Sequence, residues 1–327
     1  MASTSPINAI VVLGPTASGK TRLGVRIAHA FGGEIVSADS RQVYRELNLG
    51  SGKDLGEYMV DGAAMPYHLI DIADLSQEFS VFDYQQRFHE TFAAIRARGA
   101  LPVVVGGTGL YLEAVLARYR MVAVPENPAL RAELAGLSDA LLLARLAALK
   151  PRLHNTTDLE TRERTIRAIE IAEYSRDHDP EPAPEIRPVV LGALWNREEL
   201  RNRIRLRLAE RIQAGLIEEV RDLHAAGVPW ERLERLGLEY RFIAEYLQGK
   251  ITRRNDLVQK LGAAIGQFAK RQDTWFRRME RRGCVIHWIP RADAETAMEI
   301  LHRAGLRSNR SGGSDRSDEL QEPHDGA

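Results

Sequence analysis

Ile7-Asn8-Ala9-Ile10-Val11-Val12-Leu13 runs into Gly14-Pro15-Thr16-Ala17-Ser18-Gly19-Lys20-Thr21, and the helical spacing of Leu23, Val25, Ile27 and Ala28 follows directly. A short apolar run therefore ends at a glycine-rich turn that opens a helix. The turn matches G-x-x-x-x-G-K-[ST] in the strand-before, helix-after setting that such a phosphate-binding loop needs. Glycines let backbone N–H groups converge on phosphate oxygens, the helix amino terminus adds partial positive charge, and Lys20 adds a full one. Thr21 carries a hydroxyl able to hold Mg2+. The loop alone does not select a ligand, since ATP-binding kinases, other nucleotide-binding proteins and further transferases share it.

Outward from this unit, Glu34–Ser37 and Pro102–Val105 are again short, β-branched runs that stop at polar or glycine-rich turns. Strands apolar on both faces belong to a parallel sheet covered on both sides. Phe82–Arg98 lies between them as an amphipathic helix ending at Gly99. The alternation predicts an α/β fold, a P-loop NTPase-like parallel sheet core with helices on both faces. From about residue 121 to 176 Leu, Ala, Arg and Glu dominate, as in ALLLARLAAL (140–149) and ETRERTIRAIEIAEY (160–174), so an α-helical insertion domain is expected there. The proline-rich stretch 177–188 reads as a surface loop, and Val189–Trp195 as a strand that rejoins the core. Two long helices, Glu198–Ala225 and Asp256–Arg282, precede a last strand at Cys284–Ile289. The core is thus assigned to residues 1–120 and 186–300, with 306–327 a disordered tail.

The composition, 44% hydrophobic and 28% charged, excludes both disorder and a membrane-embedded chain. Lys plus Arg and Asp plus Glu both number 45, so a nucleic-acid partner must be held by local patches rather than a global field. One cysteine, Cys284, rules out an internal disulfide and fits a reducing, cytoplasmic setting. The start does not read as a secretory signal, and no run approaches the about 20 apolar residues of a transmembrane helix.

Ligands of parallel sheets lie beyond the carboxyl ends of the strands, which draws attention to three places. They are Ala38-Asp39-Ser40-Arg41-Gln42-Val43-Tyr44, His68-Leu69-Ile70-Asp71 and Gly106-Gly107-Thr108-Gly109-Leu110-Tyr111. Asp39 is placed to ligate magnesium or to act as general base, the alternative being a helix cap. Asp71 is either a magnesium-side carboxylate or a cap, and His68 a packed, hydrogen-bonded histidine.

GPTASGKT (14–21), SADSRQVYRELNLGSGK (37–53), PYHLIDI (66–72), LPVVVGGTGLYLEAVL (101–116), RAIEIAE (167–173) and AKRQDTWFRR (269–278), in that order, closely resemble the tRNA dimethylallyltransferases. The resemblance implies transfer of a dimethylallyl group from dimethylallyl diphosphate to the exocyclic amine of the adenosine just 3′ of a tRNA anticodon. It implies Asp39 as the base, Thr108 as a contact to the target base, and Arg207 as a residue stabilising the departing diphosphate. Gly14, Thr16, Ser18, Gly19, Lys20 and Thr21 become the diphosphate site, with Thr21 and Mg2+ together. Ser40, Gln42, Arg203, Lys270, Arg271 and Gln272, beside Asp39 and Thr108, become tRNA contacts, and the helical insertion a clamp on the anticodon stem. The chain departs from the family pattern at NLGSGK (48–53), PYHLID (66–71) and AIGQFAKRQ (264–272).

The basic helices add to this. Leu200, Ile204, Leu208 and Ile212 form an i, i+4 stripe with Arg203, Arg207 and Arg211 together beside it. A solvated face is the ordinary explanation of such arginines, and the helix dipole favours basic residues near any helix end. A target base must leave its stack to react, so an unpaired anticodon loop is the expected substrate. A monomer is expected. The rival readings are a prenyltransferase acting on free adenine nucleotides, which has no use for so much basic surface, and a P-loop small-molecule kinase, which leaves GGTGLY and AKRQ unexplained.

Overall fold

The computed structural model describes residues 7–150, 159 and 161–308. The chain enters through β1 (Ala9–Leu13), buried throughout, and turns through the glycine-rich loop into α1 (Lys20–Phe31). β2 (Gly33–Ala38) follows, then an irregular stretch, a 3₁₀ turn at Leu55–Tyr58, a small hairpin of β3 (Met59–Val60) and β4 (Ala63–Ala64), and the two-residue β5 (Tyr67–His68). A capping box opens α2 (Val81–Ala97): Asp83 N donates to Ser80 Oγ while the Asp83 carboxylate accepts from Ser80 N. β6 (Leu101–Gly106) and α3 (Gly109–Leu116) complete the first half of the core.

A separate compact unit, Arg118–Pro184, carries α4 (Pro128–Ala135), α5 (Asp139–Leu149) and α6 (Arg162–Tyr174). Asn127, Ser138 and Thr161 cap these helices through their side chains. Leu130, Leu134, Leu142, Leu146 and Ile169 pack between them. Burial pushes the Glu170 carboxyl up, but hydrogen bonds from Arg131, the Asn127 backbone and Arg167 outweigh it and hold the pKa below the ordinary carboxylate range. The expected surface loop 177–188 is irregular as far as Arg187, and Pro188 already belongs to the next strand.

The core resumes with β7 (Pro188–Leu194), α7 (Arg197–Gln213) and α8 (Leu216–Ala225). It continues through α9 (Trp230–Arg235), α10 (Leu238–Leu247) and the 28-residue α11 (Arg254–Arg281), to β8 (Ile286–Pro290) and α12 (Ala294–Arg303). The six-stranded sheet has the order β5-β2-β6-β1-β7-β8, parallel at every pairing. Alternate residues of β1 feed opposite layers: Ala9, Val11 and Leu13 pack with Tyr84, Phe88 and Phe276, whereas Ile10 and Val12 pack with Leu23, Ile27 and Leu301. Each buried Val, Leu, Ile or Phe among them contributes about 1.5–3 kcal/mol, which explains why the strands read as unbroken apolar runs. A third cluster joins α7, α8, α10 and α11 to Val43, Tyr44 and Leu47 beyond β2.

Three features differ from the sequence-based expectation. The continuous helix over 198–225 is two helices, split at Gly215, whose φ of 101° only glycine adopts readily. α9 and α10 occupy a stretch with no expected element, because their apolar residues answer to the third cluster rather than to the sheet. α12 is a further addition to the expected elements, although Asp293 accepting from Thr296 N is a legible cap and Ala297 and Leu301 are fully buried. Of the expected tail, residues 309–327 lie outside the described residues. Among the described residues no helix is long and apolar enough to cross a membrane.

Candidate active site

One pocket of about 560 Å³ gathers the loop after β1, residues 39–42 after β2, residues 105–110 at the end of β6, and side chains of α7, α10 and α11. This is the crevice beyond the carboxyl ends of the strands where α/β sheets bind ligands. Thr16, Lys20 and Thr21 belong to its wall.

Distant side chains hold the phosphate loop in shape. Thr16 N donates to Gln272 Oε1 at 2.8 Å, and Gln272 Nε2 donates to the Gly107 carbonyl at 2.9 Å. One amide on α11 therefore staples the phosphate loop to the turn after β6. Trp195 Nε1 donates to the Ser18 carbonyl at 2.8 Å and Arg203 Nε to the Ala17 carbonyl at 2.7 Å, with the Arg203 guanidinium 4.4 Å from the Trp195 ring centre. Lys20 Nζ donates to the Pro15 carbonyl at 3.3 Å. Burial of its ammonium pulls the Lys20 pKa down to about 8, Asp39 opposing the shift and Arg207 adding to it.

The two strand-end turns are tied to each other. Ser40 N donates to Thr108 Oγ1 at 3.0 Å, and the two hydroxyls lie 3.4 Å apart. Arg41 N donates to Asp39 Oδ1 at 2.9 Å in a local turn, with no helix for Asp39 to cap. Ser37 Oγ donates to Gln42 Oε1 at 3.0 Å, and Gln42 Nε2 to the Gly52 carbonyl at 3.1 Å. Asp39, Ser40, Gln42 and Thr108 all line the pocket.

Across α7, Arg207 forms an ion pair with Asp54, and Arg211 Nη2 lies 3.6 Å from the same carboxylate. Burial pushes the Asp54 carboxyl up, yet Arg207 and Arg211 prevail and hold its pKa below the usual range. Glu57 and Glu239 shift the other way, raised chiefly by burial.

Two family models match the chain. The model described as IPP transferase matches residues 42–279, and that described as isopentenyl transferase matches residues 7–64. The chain belongs to the IPP transferase family. It is 58% identical over 282 residues to a tRNA dimethylallyltransferase of Geotalea uraniireducens, covering 86% of this chain and 92% of the relative. It is 59% identical over 284 residues to one of Syntrophotalea carbinolica, covering 86% and 94%. The crystal structure of a tRNA isopentenylpyrophosphate transferase from Bacillus halodurans superposes with a TM-score of 0.64 at 29% identity, covering 90% of this chain and 94% of that one.

In this IPP transferase family member most of the expected residues meet at one place and some do not. Thr16, Lys20, Thr21, Asp39, Thr108, Arg207 and Arg271 meet at the pocket, Arg271 with its guanidinium 5.8 Å from the Phe268 ring centre. Gly14, Ser18 and Gly19 shape the loop without lining the pocket, and Ser18 Oγ is buried with no hydrogen-bond partner among the described residues. Lys270 is exposed and lies outside the pocket wall.

Three residues expected to touch tRNA also make hydrogen bonds within the fold. Gln272 is only 7% exposed and its amide is committed to Thr16 and Gly107. Gln42 spends its amide on Ser37 and Gly52, and Arg203 reaches back to the loop behind the pocket. Asp71 caps no helix; it is ion-paired with Lys53, whose side chain is 1% exposed. His68 is half-buried and its Nε2 lies 2.6 Å from Glu34 Oε2. Arg211, Asp54, Glu239 and Trp275 line or border the pocket and were not singled out as site residues. Only Arg211 carried a sequence signal, its i+4 spacing from Arg207.

The Gln272 staple yields a specific expectation. Gln272→Leu should leave Thr16 N and the Gly107 carbonyl unpaired in a buried setting, costing about 1–3 kcal/mol in urea unfolding. It should also raise the KM for the diphosphate donor while leaving affinity for an RNA stem-loop near wild type, which separates a stapling role from an RNA contact.

Proposed function

We propose that this enzyme transfers the dimethylallyl group of dimethylallyl diphosphate to the N6 amine of the adenosine 3′-adjacent to the anticodon of tRNA, releasing diphosphate. The observation that carries the reading is that a phosphate loop with its lysine and a strand-end carboxylate, Asp39, line one pocket together with Thr108. One wall suits a diphosphate leaving group, and the other suits an amine that must lose a proton.

The amine nitrogen attacks C1 of the allyl group, the C1–O bond breaks, and its electron pair leaves on the diphosphate. Negative charge grows on those oxygens as the allyl carbon becomes cationic, so Lys20, the loop amides and Arg207 act where charge develops. Adenine delocalises its amine lone pair into the ring, so a base taking the N6 proton assists attack. Asp39 takes that role, held by its hydrogen bond from Arg41 N. Thr108, joined to Ser40, positions the flipped base, and Arg271 with Lys270 meets RNA phosphates at the rim.

Thr21 lines the pocket and offers its hydroxyl, so it would hold the proposed Mg2+ there, and the bound ion would neutralise charge on the leaving group. The enzyme is proposed to act as a monomer in the cytoplasm, with the helical unit 118–184 contributing to the hold on the anticodon stem.

The test is incubation of the purified chain with magnesium, labelled dimethylallyl diphosphate and either an anticodon stem-loop with adenosine 3′ of the anticodon or free AMP. Label on the stem-loop adenosine is the expected result. Label on AMP alone would move the enzyme to nucleotide prenylation, and ATP consumption with no label transferred would replace the reading with a kinase.

A further inference from the structure

Arg211 is the most exposed problem in the electrostatics of the site. Its side chain is 12% exposed, and its Nε and Nη2 are sealed from solvent with no hydrogen-bond partner among the described residues. Asp54 is the one carboxylate, among the described residues, within ion-pair distance, and it already pairs with Arg207. A buried guanidinium with unsatisfied donors is costly, more so than a neutral group. Such a cost persists where a ligand of opposite charge recovers it.

The backbone is shaped to bring this charge in. A Cβ on Gly52 would lie 2.2 Å from Arg211 Nη2 and 3.1 Å from Arg207 Nη2, so both guanidinium tips converge over that glycine. Its φ of 69° is itself left-handed, and its carbonyl is held by Gln42 Nε2. Arg211, Arg207 and Lys20 line the same pocket. The charge of Arg211 is felt at Lys20, where it helps to depress the ammonium pKa. Three cations therefore face Asp39 and Asp54, and Glu239, whose pKa burial raises, adds a further attractive charge for Arg211.

We infer that Arg211 is a second diphosphate-binding arginine, forming with Arg207 a two-guanidinium clamp on the leaving group of the prenyl donor. The chemistry recognised is a cluster of phosphate oxygens, which a fork of N–H donors matches and a lysine does not. Donor diphosphate and RNA backbone could both present such oxygens; proximity to Lys20 and the phosphate loop favours the donor. The inference rests on the proposed transfer reaction and adds a residue to it.

The experiment compares wild type, Arg211→Met and Arg211→Lys as full chains with magnesium. Inorganic diphosphate binding is followed by calorimetry and by the rise in Tm it produces, and stem-loop binding by anisotropy. Arg211→Met should weaken diphosphate about tenfold to hundredfold, as expected for losing hydrogen bonds to a charged group, with Arg211→Lys between the two. Its diphosphate-dependent Tm rise should shrink, its Tm without ligand should match or exceed wild type because a buried charge is gone, and stem-loop affinity should hold. Unchanged diphosphate affinity, a lower Tm or failure to fold would each overturn the clamp, and weakened stem-loop binding with diphosphate unchanged would reassign Arg211 to RNA. Transfer to the stem-loop by wild type is scored separately, so failure of the proposed reaction and failure of the clamp are distinguishable.

Discussion

Asp39→Ala should lower single-turnover transfer to the stem-loop by about 10²–10⁴-fold, the range of a lost general base, while stem-loop affinity stays near wild type. The argument is geometric. Asp39 directly follows β2, its Oδ1 is fixed by Arg41 N at 2.9 Å, and it lines the pocket that holds Lys20. Its neighbour Ser40 is joined to Thr108, so the turn should survive loss of one carboxylate. Asp39→Asn retains an acceptor for Arg41 and removes only the basicity, so it should be nearly as slow as the alanine variant. A secondary effect follows from the electrostatics: Asp39 opposes the depression of the Lys20 pKa, so its removal should also weaken donor binding at pH 8. Wild-type turnover by Asp39→Asn would remove Asp39 as the base.

Lys20→Met should lower kcat/KM for the donor by about 10²–10³-fold, because a fixed charge is withdrawn from oxygens that become more negative as the bond breaks. The wild-type pH profile provides a second signature. Burial brings the Lys20 pKa from 10.5 to about 8, so the free enzyme loses this cation as pH rises through 8. Above that point kcat/KM for the donor should fall about tenfold per pH unit, a limb absent from Lys20→Met. The stability contribution runs in the opposite direction. Between pH 8 and 10.5 the unfolded chain binds the proton that the folded chain has released, so this group's contribution to stability rises with pH across that window. Decline in activity with undiminished Tm over the same range would place the titration at the site rather than in global unfolding.

Local patterns carry much of the architecture. The strand, loop and helix of residues 7–31 follow from an apolar run meeting G-x-x-x-x-G-K-T, and the short buried strands follow from apolar runs with no polar face. Six separated blocks in order were enough to indicate the family, to which the matching model over residues 42–279 assigns the chain. Asp39 stands out because strand ends are where such sheets bind ligands, Lys20 because of the phosphate-loop motif, and Thr108 through the family resemblance. α9 and α10 could not be read, since their apolar residues answer to a cluster assembled from distant helices.

Side-chain commitments belong to the tertiary structure alone. Gln272 and Arg203 stood in basic, RNA-like contexts, yet they close on backbone groups 256 and 186 residues away. Arg207 and Asp54, 153 residues apart, form an ion pair, and Arg211 is left beside them without a hydrogen bond among the described residues. Sequence by itself located the candidate groups along the chain, because those signals are local: a glycine turn, a strand end, a helical repeat. Which of them face a ligand and which hold the scaffold was decided only by the fold, because hydrogen bonds and buried charges are settled at distances of a few ångströms between residues that sequence spacing does not relate.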